Sequence, residues 1–179
     1  MKKLINKIFV YISILSSIVL SSCAIFGETE EKKARRLTDE FISLLDNQDK
    51  DEIKNIFAKE KIDSIETFDD DLDQLLVYYK GESTSKVMQR SNSGASVDYD
   101  ERTRFLDISC DVITDIDVYR MFFIWYYVYS TNKNLIGIWS FYIIRFDDDT
   151  TKEYAYGGDG FQTPGINIGK VWSYDDRFE

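Results

Sequence analysis

The chain has 179 residues, with 22 basic against 32 acidic side chains, no His, two Cys and one Pro, giving a net charge of −10. That length suits a single domain, the acidic balance argues against nucleic acid as a partner, and the lack of His excludes imidazole acids, bases and metal ligands. A hydrophobic share of 44% with 12 Tyr, 12 Phe and 3 Trp points to a packed fold rather than disorder.

Residues 1–22 read as a signal peptide: Lys2, Lys3 and Lys7 make a positive start, and Ile8 to Leu20 is an apolar run broken only by serines. The run ends in Leu20-Ser21-Ser22-Cys23, which resembles the lipobox of bacterial lipoprotein precursors. The resemblance implies lipidation of Cys23, and two acyl chains hold a protein stably on a bilayer where one is marginal. The competing reading is an uncleaved span from Ile8 to about Phe26. Both keep the lysines inside and deliver the rest of the chain across the cytoplasmic membrane. The expected location is therefore the cell membrane, lipid-anchored on its extracytoplasmic face.

Residues 23–31 read as the lipidated Cys and a short tether, and residues 32–179 as a single α+β domain. The leader carries three basic and no acidic residues, so the remainder has a net charge of −13. Repulsion from anionic headgroups leaves cationic or neutral envelope partners as the better match. With Cys23 lipidated, Cys110 is left without a partner for an intrachain disulfide.

A helical pattern places Ala34, Leu37, Phe41, Leu44 and Leu45 on one face and ends at Asn47-Gln48-Asp49. A short helix follows with Ile53, Ile56 and Phe57. A third is expected from Asp63-Ser64, burying Ile65, Phe68, Leu72, Leu75, Leu76 and Tyr79, and stopped by Gly81. From Ser83 the period changes to two. Strands are expected at Lys86–Gln89 and Ser96–Tyr99 about a turn at Ser91-Asn92-Ser93-Gly94. In the next strand Leu106, Ile108, Cys110 and Val112 share an apolar face, which makes Cys110 an inert core residue. Two long strands, Val118–Ser130 and Leu135–Phe146, are joined by Thr131-Asn132-Lys133-Asn134. Asp147-Asp148-Asp149 turns into a strand at Thr151–Tyr156, and the tail is irregular. Helices first and antiparallel strands afterwards define an α+β fold, with N-terminal helices packed on a curved sheet.

Phe41-Ile42-Ser43-Leu44-Leu45-Asp46-Asn47-Gln48-Asp49 followed by a short helix is similar to the opening of cystatin-like, nuclear-transport-factor-2-like domains. More narrowly, Ile138-Trp139-Ser140-Phe141-Tyr142-Ile143-Ile144 with Gly158-Asp159-Gly160 and Thr163-Pro164-Gly165-Ile166-Asn167 resembles an uncharacterised domain family of lipoproteins from low-GC Gram-positive bacteria. The resemblance spans about residues 33–170 and implies a cone-shaped fold and an envelope location, with no assigned activity.

The two long strands are apolar on both faces. Tyr119, Met121, Phe123, Trp125, Tyr127 and Tyr129 oppose Val118, Phe122, Ile124, Tyr126 and Val128, while Trp139, Phe141 and Ile143 oppose Ile136, Ile138, Tyr142 and Ile144. A half-exposed sheet would alternate apolar with polar, so the face away from the helices needs cover from the tail, a second copy or a ligand. Trp125, Tyr127, Trp139 and Asp159 are the candidate ligand-binding residues. The leading expectation is a non-enzymatic binding module for an envelope protein or small apolar ligand, with a homodimer through the sheet as a further possibility. The alternative is a small enzyme using Asp107, Asp111, Asp115, Asp117, Tyr119 or Tyr127 for acid–base chemistry in the cone, which requires no His. No metal or cofactor is expected: neither Asp69-Asp70-Asp71 nor Asp147-Asp148-Asp149 has the Gly and Glu of an EF-hand loop. Gly158-Asp159-Gly160 has no helix after it to receive a phosphate.

Overall fold

The computed structural model describes residues 28–149 and 165–169. Helix α1 (Glu30–Asp46) buries Ala34, Leu37, Phe41 and Leu45, the stripe its spacing predicts, and adds Thr38 and Ile42. Leu44 stands only half-buried. Gln48 takes a left-handed φ of 55° and turns the chain. Asp49 then caps α2 (Lys50–Ile56) by accepting from the Glu52 amide at 3.2 Å.

The helix expected from Asp63-Ser64 begins later, at Phe68, and an unexpected short one lies before it. A short α3 (Lys59–Ser64) precedes α4 (Phe68–Tyr78), and Ser64 closes the first, its hydroxyl bonded to the Lys61 carbonyl, rather than opening the second. Phe68, Leu72, Leu75 and Tyr79 are buried as expected. The acidic start of α4 is tied to α2 across the surface: Lys54 reaches Asp69 at 2.6 Å and Lys50 reaches Asp73 at 2.5 Å. Gly81, with φ +84°, lies three residues past the end of α4.

Strands β1 (Ser83–Asp98), β2 (Glu101–Thr114), β3 (Val118–Tyr129), β4 (Gly137–Arg145) and β5 (Ile166–Ile168) form one open antiparallel sheet in the order β1-β2-β3-β4-β5. The fold is therefore a mixed α+β one, with the helices N-terminal to a five-stranded sheet. Two expectations are corrected. Ser91 to Gly94 is not a turn but the middle of a 16-residue strand, and the chain reverses at Tyr99-Asp100. Gly94 serves cross-strand packing instead: a Cβ there would lie 2.3 Å from the ring of Phe105, its partner on β2. Ile166–Ile168, expected within the irregular tail, joins the edge of the sheet beside β4. The strand expected at Thr151–Tyr156 and the Gly158-Asp159-Gly160 turn lie outside the described residues.

The helices and the inner sheet face share one core. Leu106, Ile108, Cys110 and Val112 from β2 and Tyr119, Met121 and Phe123 from β3 are buried there, as the alternation predicts. Burial pushes the Cys110 thiol up to about 12, which keeps it protonated and unreactive.

Candidate functional site

Phe41 fills the space between helices and sheet where a cone-shaped fold would hold a pocket. Its ring centre lies 4.7 Å from Phe141, 5.9 Å from Phe123 and 6.4 Å from Phe57. Phe57 in turn meets Phe68 edge-on at 5.1 Å. None of these rings is more than 4% exposed. Among the described residues the interior around Phe41 is closely packed.

The outer sheet face carries two kinds of contact. Near the start of β3, charges pair across strands: Arg90 grips both oxygens of Asp107 at 3.0 Å, and Arg120 binds Asp111 at 2.6 and 3.0 Å. Gln89 adds a bond to Asp111 at 2.7 Å, and the Arg120 guanidinium lies 4.7 Å from the centre of the Phe146 ring. Such bidentate pairs satisfy the carboxylates where they stand. Towards the other end, the aromatics of three strands form a ladder. Phe105 of β2 contacts Tyr126 of β3 at 5.3 Å, and Tyr126 stacks on Trp139 of β4 at 4.1 Å. Tyr129 closes the group, 6.0 Å from Trp139 and 6.1 Å from Tyr126. Lys61 of α3 sits over Trp139 at 4.6 Å, within cation–π range, and the indole N–H donates to the Leu135 carbonyl at 2.6 Å. All four rings are half-buried.

Two bulges make this ladder. Ile124 pairs with Ser140 while Trp125 pairs with Ile138, so Trp139 is the extra residue of β4. Arg104 pairs with Val128 while Phe105 pairs with Tyr126, so Tyr127 is the extra residue of β3. Each inserted residue reverses which side chains face outward beyond it. This corrects the expected face sharing: Trp139 does not lie with Phe141 and Ile143, and Tyr129 does not lie with Trp125 and Tyr127. Ile138, expected opposite Phe141, joins it in the core. Gly137 fixes the β4 bulge in place. Its φ is +138°, and a Cβ on it would come within 2.4 Å of the Ala58 amide nitrogen. That close approach lets Ala58 donate to the Ile138 carbonyl at 3.0 Å and seats the start of α3 against β4.

Of the expected binding residues, the structure brings Trp125 and Tyr127 together, with ring centres 5.5 Å apart, on the inner side where both pack half-buried against the core. It places Trp139 on the opposite face. Asp159 lies outside the described residues. Phe105, Tyr126, Tyr129 and Lys61 join Trp139 without having been singled out.

The carboxylates of the acid–base alternative are each engaged. Besides Asp107 and Asp111, Asp115 accepts from the Glu82 amide at 2.9 Å, and Asp117 lies 3.8 Å from Arg145 and 3.4 Å from the Tyr119 hydroxyl. That hydroxyl receives the Lys80 amide at 2.8 Å and donates to the Tyr78 carbonyl at 3.1 Å. Beside it, Tyr78 donates to Asp148 at 2.7 Å while Arg145 binds the same carboxylate at 3.0 and 3.1 Å. Burial, with the bond to Asp148, raises the Tyr78 phenol well above its ordinary value. Tyr79 is raised in the same way, first by burial and then by its 2.8 Å bond to Asp46. These phenols stay protonated and act as fixed struts. Among the described residues no cluster of three or more His, Cys, Asp or Glu is arranged to hold a metal ion.

Among the described residues, helices packed on an open antiparallel sheet with an aromatic outer ladder define an α+β module. Residues 40–146 match the family model described as Domain of unknown function (DUF5104), and the chain belongs to that family. The match runs from within α1 to the end of β4 and contains the whole ladder; residues 1–39, Cys23 among them, and Asp159 fall outside it. No curated protein matches the chain.

Proposed function

We propose that this protein is a lipid-anchored, extracytoplasmic binding module with a cystatin-like, cone-shaped fold, held on the cell membrane through Cys23, and that it takes a neutral apolar ligand on the outer aromatic ladder. One observation carries the reading: the Phe41 cluster occupies the interior where a pocket would lie, while Phe105, Tyr126, Tyr129 and Trp139 remain half-buried on the outside. Half-exposed rings with a cation at one end offer apolar contact area at small conformational cost. The Arg–Asp pairing of the same face supports binding over acid–base catalysis, because the Asp107 and Asp111 carboxylates are already taken up by arginine hydrogen bonds. The lipobox-like Leu20-Ser21-Ser22-Cys23 supports the anchor and a Gram-positive lipoprotein origin.

Two measurements test the reading. Radiolabelled palmitate fed to expressing bacteria should mark the wild-type chain and not Cys23→Ala; labelling of both would remove the anchor. Nile red, a neutral apolar dye, should brighten on the wild type and lose that response with Trp139→Ala or Tyr126→Ala, with melting still cooperative. Asp107→Asn should leave the dye response in place. A response unchanged by both aromatic substitutions would remove the ladder as the site.

A further inference from the structure

Strand β1 is one edge of the sheet, paired among the described residues with β2 alone. Helix α1 runs antiparallel beneath its first half: Asp46 accepts from the Ser83 amide at 3.0 Å, and the Asp39 carboxylate meets Lys86. Seven helical residues thus match three strand residues, as their rises require, and Ala34 stands level with about residue 88. Ser91 to Asp98 run on past that level, and all but Gly94 are exposed.

Long exposed edges are ordinarily blunted by charge, proline or a bulge. Ser91-Asn92-Ser93-Gly94-Ala95-Ser96-Val97 has no charge and no proline, and its register with β2 is unbroken from Arg90 to Asp98. Charge returns only at its two ends, Arg90 on one side and Asp98 on the other. The chain reverses through the two-residue turn Tyr99-Asp100, which closes on the pair Asp98–Glu101. A turn of that length makes the closing pair a hydrogen-bonded one, so Ser91, Ser93, Ala95 and Val97 direct their N–H and C=O groups to the free edge.

We propose that this edge joins two copies of the chain: β1 of one pairs antiparallel with β1 of the other about a twofold axis at Gly94, making one continuous sheet. Identical strands meeting in this way must set outward-directed residues against each other, which allows an axis at 93, 94 or 95. An axis at 94 sets Arg90 opposite Asp98 of the second copy, twice, in non-hydrogen-bonded pairs where side chains lie closest. An axis at 93 sets Arg90 against Ser96, and one at 95 sets Asp98 against Asn92, so charge complementarity selects 94. Arg90 and Asp98 sit on the same sheet face, an even number of residues apart in unbroken register. Arg90 binds both oxygens of Asp107 at 3.0 Å on that face, and Asp98 of the second copy would bring its carboxylate beside the same guanidinium. The axis also brings glycine against glycine, where backbones approach without a side chain between them. The pairing involves the edge of the sheet and leaves the aromatic ladder uncovered, so it stands or falls separately from the ligand proposal.

Sedimentation equilibrium of the full-length chain in detergent tests it. The wild type should be dimeric at roughly 10 µM. Ser93→Pro removes an outward N–H without touching the β2 ladder, and Asp98→Arg sets like charges together. Each should weaken the dimer by at least about tenfold, with the thermal melt unchanged. The double variant Asn92→Cys/Ser96→Cys should form interchain disulfides beyond the level of the unsubstituted chain, because residue 92 faces residue 96 of the partner copy. A monomeric wild type, a dimer untouched by both Ser93→Pro and Asp98→Arg, or crosslinking by Ser93→Cys or Ala95→Cys in place of the double variant would each overturn it.

Discussion

Two aromatic clusters of similar size lie on opposite faces of this sheet and do different things. The inner one, around Phe41, is sealed at 4% exposure or less. The outer one, around Trp139, is half-buried and closed on one side by Lys61. Ring chemistry alone does not separate them; backing does. Phe41 is enclosed by helices and strands, whereas among the described residues the Trp139 ladder rests on one sheet face, with Lys61 of α3 and the Leu135 carbonyl against it. The inner cluster is thus an element of stability, while the rings of the outer one are only half-buried.

Truncation should break that comparison most sharply. Phe41→Ala removes a ring from a close-packed interior and should cost about 3–5 kcal/mol, read as a lower urea midpoint at unchanged slope. Trp139→Ala loses stacking and a cation–π contact at a half-exposed site and should cost about 1–2 kcal/mol. If Trp139→Ala proved as damaging as Phe41→Ala, the ladder would be core and its binding role would lose its basis.

Gly137 links the two clusters, since its backbone approach to Ala58 seats α3 and so sets Lys61 over Trp139. Gly137→Ala meets both a positive φ and the Ala58 nitrogen at 2.4 Å. It should cost about 1–3 kcal/mol and weaken the Nile red response as well, although no ladder residue has changed. Loss of stability with a fully retained response would detach the bulge from the site.

This junction also shows where legibility in the sequence ends. The core faces of β2 and β3 up to Phe123 can be read directly, because strict alternation over Leu106 to Val112 and Tyr119 to Phe123 admits a single inward set. One inserted residue in each strand, Tyr127 in β3 and Trp139 in β4, then reverses the parity, and periodicity carries no mark of a bulge. A lone glycine ahead of Ile138-Trp139 is the signal that was available, since glycine at the head of an apolar strand marks a bulge or a close backbone approach. The Ser91 to Gly94 stretch misleads in the opposite way. Its composition is that of a turn, yet Gly94 is required by the ring of Phe105 eleven residues later, a contact visible only once the strands are paired. Helix α3 is hidden for a simpler reason: six residues with no buried side chain make no apolar stripe.

Acid should reveal a third, polar region distinct from both clusters. The Asp148 carboxyl is held below the ordinary carboxylate range, first by the Arg145 guanidinium and then by the Tyr78 hydroxyl. A folded-state value below the unfolded one stabilises the fold wherever the group is ionised. The contribution is complete above about pH 4 and is lost as pH falls through the lowered value. Asp148→Asn should therefore lower the urea midpoint at neutral pH and flatten its decline in acid. An unchanged acid limb would mean that the Tyr78–Asp148–Arg145 bonds carry no linkage.

The smallest effect is expected at the tip of the β1–β2 arm. Tyr99 has a left-handed φ of 49° and is 98% exposed, so it bears backbone strain without packing in return. Asparagine adopts that region more readily and forms turns through its side chain. Tyr99→Asn should stabilise the chain by about 0.5 kcal/mol, a rise of roughly 1–2 °C in Tm, and leave the dye response of the ladder unaltered. A fall in Tm would show that the tyrosine ring makes a contact worth more than the strain it imposes, and at 98% exposure that contact would have to be with a second molecule. The substitution thus separates a bare hairpin tip, which should gain from relief of strain, from a tip that is covered in solution, which should lose.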